Sequence, residues 1–389
     1  SVPEVESAIQ IMVMIVALRW LCGLYRGIVS GSERLVWLSG YAISVATLRF
    51  VIVLPVMSFL GFSPKVFFTY QLAIAILEFC VLFMKARSLL PSKSSVVQHI
   101  GWSFKPIKPV LGFALSIALT SSIWVVVTQM DKFILSGILT LEEYGYFSLA
   151  VLAASIILII SGPVSNAILP RMANLFALNE KENLVKLYRR STVLIAVLCG
   201  SAVISLSFSA FPIVYFWTGD AELAKTIAPV LQLYAIGNGI LTIAAFPYYL
   251  QYAEGNLRLH VLGNLILISL LVPAVIYFSV KFGAIGAGLV WLFTNLLYFL
   301  LWVPLVHAKL LPGLHRVWLF NDVIKTLLPA AIAALIFYPV FQECQYSLSR
   351  VISGLLSFVL SLFFLVIVLL SVKDYRQSII NKLKGRFCD

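Results

Sequence analysis

Charge is what this sequence has least of. Only 11% of its 389 residues are Asp, Glu, Lys or Arg, against roughly 25% in soluble globular domains, which excludes a water-covered surface for a chain of this length. Carboxylates are the scarcer sign, 16 against 28 Lys and Arg. Histidine occurs four times, at His99, His260, His307 and His315, and no His/Asp/Ser constellation for nucleophilic catalysis is visible. The five cysteines, Cys22, Cys80, Cys199, Cys344 and Cys388, show no metal-ligand or disulfide spacing and read as small apolar residues. A Walker A sequence is missing, so nothing marks the chain as an ATPase.

Apolar residues fill the space that charge leaves. Hydrophobic residues make up 61% of the chain, mean hydropathy is +1.01, and the apolar runs repeat at about 20 residues, the length a helix needs to cross roughly 30 Å of hydrocarbon. Backbone groups in lipid must be satisfied within each segment, so these runs are helices. The expectation is an all-α integral membrane protein with about eleven transmembrane helices, at 7–27, 36–60, 66–86, 110–138, 145–170, 191–217, 226–252, 259–280, 283–308, 322–341 and 350–372.

Basic residues orient these spans, because Lys and Arg accumulate in cytoplasmic loops. With Ser1 outside, one set of loops collects Arg26 and Arg34, Lys85 with the cations of 87–109, those of 171–190, Arg258, Lys309, Arg316 and Lys325, and the tail 373–389. The opposite loops hold only Lys65, Lys225, Lys281 and Arg350. The net charge of +12 is thereby a topology signal and requires no nucleic-acid partner. External loops are short, which disfavours a membrane enzyme that must hold catalytic groups in water. The longest interruptions, 87–109, 172–190, 309–321 and the tail, are all expected inside. Segment 173–190 reads equally as a helix lying along the inner surface and as a solvated connector. The start at Ser1, followed by Glu4 and Glu6 on the external side, leads to the expectation of a fragment whose parent began inside with an odd number of further helices.

Function is sought where polar groups lie inside spans. A charge near mid-bilayer costs roughly 2.5–3.5 kcal/mol even on the lenient insertion scale. Arg19, Arg49 and Glu78 lie deepest and should face a bundle interior or a wet cavity. Glu78 pairing with one arginine leaves one cation over, and a free guanidinium is a ready phosphate contact. Gln129, Asp131 and Lys132 fall near the outer end of their span, where Asp131 serves as a structural ion pair or a coupling carboxylate. Asn166, Pro163, Pro170 and Arg171 mark the inner part of the next span, the prolines kinking or ending it. Asn238 and Asn264 read as interhelical hydrogen-bonding groups.

Three stretches in order, TQMDKFILSGILTLEEYGYFSLA (128–150), PVSNAILPRMANLF (163–176) and GAIGAGLVW (283–291), with LYRGIVSGSER (24–34) ahead of them, resemble the polysaccharide transporter branch of the multidrug/oligosaccharidyl-lipid/polysaccharide exporter superfamily. Asp131 and Lys132 close a span, the turn at Glu142, Glu143, Tyr144 and Gly145 redirects the chain, Pro170 with Arg171 stops the next span, and Gly283, Gly286 and Gly288 permit close helix approach.

The resemblance implies a C-terminal portion of a 14-helix, two-lobe exporter fold. Residues 1–86 would be the remainder of the N-lobe, 87–109 the inter-lobe loop, 110–308 the six-helix C-lobe, 309–372 a terminal helix pair and 373–389 a basic cytoplasmic tail. It implies translocation of an oligosaccharide linked to undecaprenyl pyrophosphate across the bacterial inner membrane for surface polysaccharide such as O-antigen, alongside polysaccharide polymerase machinery. No enzyme activity or cofactor is implied, and coupling to an H+ or Na+ gradient stays open. Charge and depth nominate Arg19, Arg49 and Arg171 for anion contact, and Glu78, Asp131 and Lys132 for coupling or ion pairing. The competing readings are a cation-coupled drug antiporter of the same superfamily, a peptidoglycan-precursor flippase, and a membrane glycan polymerase or ligase.

Overall fold

The computed structural model describes residues 2–32, 34–90, 108–373 and 376–377. It divides into two compact units, Ser1–Ser103 and Phe104–Asp389. Within the described residues the structure is helical throughout. Ten helical stretches are long and apolar enough to cross a membrane, and large apolar side chains such as Val36, Phe59 and Leu141 cover their outward faces, as lipid contact requires.

The first unit holds three spans: α1 (Val2–Gly31), a broken second span of α2 (Leu35–Ala46), a π-turn (Thr47–Val51) and α3 (Val53–Leu60), and then α4 (Pro64–Leu89). Ser63 caps α4, its hydroxyl accepting from the Val66 amide at 3.3 Å with Pro64 in the first turn. The core of this unit is small, with Cys22 of α1, Tyr41 and Val45 of α2 and Leu82 of α4 buried together.

The second unit begins with α5 (Lys108–Ser136), α6 (Leu141–Ala154), α7 (Ile156–Ala177), α8 (Lys181–Ile195), α9 (Ser201–Phe208), α10 (Ala210–Thr218), α11 (Ala221–Ala244) and α12 (Phe246–Glu254). It continues with α13 (Arg258–Leu297), α14 (Val303–Leu310), α15 (Leu314–Val317), α16 (Lys325–Cys344) and α17 (Arg350–Ser371), with π-turns at Ala196–Gly200, Tyr298–Trp302 and Trp318–Ile324. Its core runs through Phe147, Tyr188, Leu231, Trp291 and Trp318. A side cluster of Phe208, Ala330, Phe364 and Val368 seats α16 and α17. Arg350 pins the start of α17 by donating to the carbonyls of Phe216 and Trp217, at 2.9 and 3.2 Å.

The stretch Arg258–Leu310 spans 53 residues without a break in helical assignment, too long for one crossing at 1.5 Å per residue. It bends at Gly283, whose φ of 57° and ψ of −139° suit glycine alone. Residues on both sides of the bend, among them Leu270, Phe278, Phe293 and Leu301, line one apolar groove of 560 Å³. Counting the two arms separately gives the eleven crossings expected. Gly283 is therefore the corner itself; close approach falls to Gly286, where an added Cβ would collide with the Phe278 carbonyl of the other arm, and to Gly288, where it would meet Leu233 at 3.0 Å.

Several loop expectations are corrected. Residues 172–190 are not a long interruption, because α7 runs to Ala177 and α8 starts at Lys181. Only a turn intervenes, closed by Asn179 at φ 59° and by the Glu180 amide donating to the Leu175 carbonyl at 2.9 Å. Leu175, Leu184 and Tyr188 are buried there, so this stretch is packed helix rather than a surface-lying segment. The 309–321 interruption shrinks likewise to 311–313, with α15 leading directly into the following π-turn. Pro163 and Pro170 lie inside α7, which neither ends nor starts at them. Asp131 and Lys132 do not close their span, since α5 continues to Ser136. The acidic residues Glu142 and Glu143 form the first turn of α6, where Thr140 and Glu143 make a capping box. The expected connection at 87–109 and the tail fall for the most part outside the described residues.

Candidate functional site

In the first unit the site is built by two facing helices. Arg19, Cys22 and Arg26 follow one another at three- and four-residue steps on α1, and Gln71, Ile74, Ala75, Glu78 and Leu82 line the buried face of α4. Such spacing places each set on one side of its helix. Glu78 is 1% exposed. Its Oε1 accepts from Arg26 Nη2 at 2.9 Å, while its Oε2 lies 3.4 Å from Arg19 Nε. The second contact is an ion pair without hydrogen-bond geometry, and both Arg19 Nε and Glu78 Oε2 lack a hydrogen-bond partner.

Arg49 stands apart from the carboxylate. It lies in the π-turn Thr47–Val51. Gln71 ties it to the cluster, accepting from Arg19 Nη2 at 3.3 Å and donating through Nε2 to the Arg49 carbonyl at 3.0 Å. The Arg49 guanidinium sits 5.1 Å from the centroid of the Phe50 ring, and its buried Nε has no hydrogen-bond partner. Among the described residues no carboxylate pairs with it. The unit thus holds three guanidinium groups and one carboxylate in this cluster, and the carboxylate pairs with two of them. Glu78 takes two arginines rather than the one expected, and Arg26, read as a loop residue, is on α1. The missed signal was helical phase, since Arg26 lies seven residues after Arg19 on the same face.

Beside this cluster Trp37, Tyr41, Ser44, Leu48 and Glu78 line a cavity of 420 Å³. The Tyr41 hydroxyl donates to the Glu78 carbonyl at 3.2 Å, and its ring stacks on Trp37 with centroids 5.4 Å apart.

In the second unit Asp131 is buried, but the Lys132 ammonium is not its partner. The Tyr234 hydroxyl donates to Oδ2 at 2.6 Å and the Lys132 amide to Oδ1 at 2.7 Å, while Lys132 Nζ donates to Gln129 at 3.0 Å. Tyr234 stacks on Trp291, whose Nε1 donates to Asn238 at 3.0 Å, and Asn238 donates to the Ala154 carbonyl at 3.0 Å. This chain joins α5, α6, α11 and α13, so Asn238 is the interhelical group expected. Asn264 is not: it bonds His260 four residues back on α13. Arg171 and Asn166 are exposed on α7, and Arg171 has no ion-pair partner among the described residues. The structure does not bring Arg171 together with Asp131 or Lys132.

A second polar cluster escaped sequence reading. Arg189 of α8 makes a bidentate pair with buried Asp322, at 2.7 and 2.8 Å. Next to it Tyr188 bonds His307 at 2.6 Å, His307 bonds His315 at 2.9 Å, and Trp318 Nε1 donates to Thr192 at 2.9 Å. Arg189 had been assigned to a loop. Asp322 was a span boundary, and no local pattern announces a partner 133 residues away.

The described residues of the two units thus define a multi-pass, all-helical membrane protein with a cationic intramembrane cluster. Residues 5–222 match the family described as polysaccharide biosynthesis protein, and the chain belongs to that family. It is 25% identical over 241 residues to a Shigella flexneri protein with the provisional name O-antigen transporter. That alignment covers 59% of this chain and 55% of the relative, so the chain spans about half the length of the curated relative it matches. A solved structure titled lipid II flippase MurJ, inward closed conformation, shares the fold at a TM-score of 0.61 and 16% identity, covering 92% of this chain and 73% of that one.

Proposed function

We propose that this protein moves a lipid-linked oligosaccharide with an anionic, pyrophosphate-type linkage across the bacterial inner membrane, for polysaccharide assembly at the cell surface. One observation carries the reading: Arg49 is an intramembrane guanidinium with an unused Nε and no carboxylate partner among the described residues, in a chain whose family and named relatives concern polysaccharide synthesis and lipid-linked cargo. Holding such a cation in a span costs roughly 2.5–3.5 kcal/mol, a cost that an anionic cargo offsets. Arg49 makes the primary contact, Arg19 supports it through Gln71, and exposed Arg171 in the second unit provides a later contact for the anion. Asp131 is the second intramembrane carboxylate available for H+ or Na+ coupling, with Lys132 beside it. The end of the spans rich in Lys and Arg faces the cytoplasm, which puts the C-terminus inside. Polymerase machinery on the outer side would receive the cargo.

The test replaces Arg49 by Gln in a strain that depends on this protein for surface polysaccharide. Loss of surface glycan at unchanged membrane level is expected. Full display would refute the anion-contact role, and dye efflux with normal display in a deletion strain would indicate a drug antiporter instead.

A further inference from the structure

Three turns between spans meet at one end of the second unit. There Ala177 hands over to Lys181, Glu254 to Arg258 and Leu310 to Leu314, each a junction between two apolar stretches of membrane-crossing length. Residues from all three junctions surround one cavity of 730 Å³, a volume in the usual range of small-molecule sites. Phe176 of α7, Leu184 of α8, Leu250 of α12 and Leu314 of α15 give it an apolar wall, and Lys181, Glu254 and Lys309 stand around the same space. Hydrocarbon-facing helices thus end on a pocket that is apolar on one side and charged on the other. Basic pockets between transmembrane helices hold phosphate headgroups of lipids.

The three charges are unpaired. Among the described residues none of them has an ion-pair partner, although they share one cavity and their neighbours in sequence are engaged elsewhere: Glu182 pairs with Lys186 at 3.7 Å, and Glu180 accepts from Asn183 at 2.6 Å. Two cations and one anion kept beyond ion-pair distance of one another complement a ligand that carries both signs. Lys181 also breaks a local rule. It occupies the first turn of α8, a helix that opens without a side-chain cap, where the dipole disfavours a cation and the free amides already present positive charge. Helix stability alone does not call for a lysine there, whereas a phosphate does.

We propose that this cavity binds one zwitterionic glycerophospholipid of the phosphatidylethanolamine type. Lys181 and Lys309 take the phosphate, Glu254 takes the ethanolammonium group, and the first part of an acyl chain covers the wall formed by Leu184, Leu250 and Leu314. Covering that wall removes apolar surface from water. A soluble phosphate compound would meet the lysines but leave the wall bare and Glu254 without a partner; a purely anionic lipid would be repelled by Glu254. The site lies wholly within the second unit and is independent of the role given to Arg49.

The test is native mass spectrometry of the purified, delipidated full chain in detergent, titrated with dioleoyl phosphatidylethanolamine or dioleoyl phosphatidylglycerol. The wild type should bind one phosphatidylethanolamine in preference to phosphatidylglycerol. Lys181→Gln/Lys309→Gln should weaken that binding by about tenfold or more, Lys181→Arg/Lys309→Arg should retain it, and Glu254→Gln should abolish the preference between the two lipids. All three side chains are exposed, so the variants should fold, which circular dichroism checks. Lys186→Gln, on the same helix but outside the cavity, should change nothing. Equal binding by wild type and Lys181→Gln/Lys309→Gln, or an equal loss in Lys186→Gln, would overturn the site. A wild type that prefers phosphatidylglycerol would overturn the zwitterionic occupant, and displacement of the lipid by an equal concentration of O-phosphoethanolamine would overturn the lipid as its source. Each of these results leaves the Arg49 reading untouched.

Discussion

The two units treat buried charge in opposite ways. In the second unit Asp322 holds Arg189 through two hydrogen bonds, and Asp131 receives a Tyr234 hydroxyl and a backbone amide. The buried atoms left without partners there are neutral groups such as Ser279 Oγ and Trp302 Nε1. In the first unit Arg19 and Arg26 meet one carboxylate while Arg49 has none among the described residues, and the unpartnered atoms belong to charged groups: Arg19 Nε, Arg49 Nε and Glu78 Oε2. A satisfied network over-determines one helix arrangement. An unsatisfied ionic cluster keeps free energy available for a ligand or a rearrangement. Under the proposed function the contrast makes the satisfied Arg189–Asp322 pair scaffold and the cluster around Arg49 the working part.

The largest expected effect is Arg49→Gln. Surface polysaccharide should fall about tenfold or more, the worth of one charge-assisted contact, with thermal stability unchanged; a large stability loss would erase the distinction between the units. Asp322→Ala comes next and acts in the reverse sense. It strands Arg189, and should destabilise by about 2–3 kcal/mol, less than a fully buried pair would lose because Arg189 is 36% exposed. Chemical or thermal unfolding in detergent reads that loss. Export per folded molecule should be retained, and a transport defect without a stability defect would move Asp322 to the working side.

Tyr234→Phe withdraws the donor from Asp131 and is expected to cost about 1–3 kcal/mol. Gly237→Ala should cost a similar amount, about 1–3 kcal/mol of overpacking, since the new Cβ would lie 2.5 Å from the Trp291 ring. A neutral result for Gly237→Ala would show that the Trp291 side of the network is softer than the contacts indicate. The smallest effect is expected for Lys132→Gln. Its Nζ meets only Gln129, and unfolding should shift by less than about 0.5 kcal/mol. A sizeable shift would place Lys132 in the Asp131 network after all.

Span positions were readable because apolar length is a local property. Even so, Arg258–Leu310 needed coordinates to show that Gly283 folds one helical stretch into two arms. The interruptions at 172–190 and 309–321 misled because charged residues were equated with loops. Lys186 and Arg189 ride on α8, whose other face buries Leu184 and Tyr188. The depth criterion singles out Arg19, Arg49 and Glu78. It misses Arg26, which meets the buried Glu78, and Asp322, itself buried against Arg189, because both lie nearer span ends.

Solvent chemistry accounts for what could be known before any coordinates. Lipid cannot satisfy backbone groups or stray charges, so long apolar runs had to be helices and the few intramembrane ions had to matter. Which ions meet was decided by packing alone. The phase and contact of α1 with α4 put Arg26 and Arg19 on the same carboxylate, the π-turn at Thr47–Val51 carries Arg49 beside Gln71 without an acid of its own, and Tyr234 reaches Asp131 across 103 residues of chain. Each pairing depends on the rotation of one helix against another, a quantity that no stretch of sequence encodes locally.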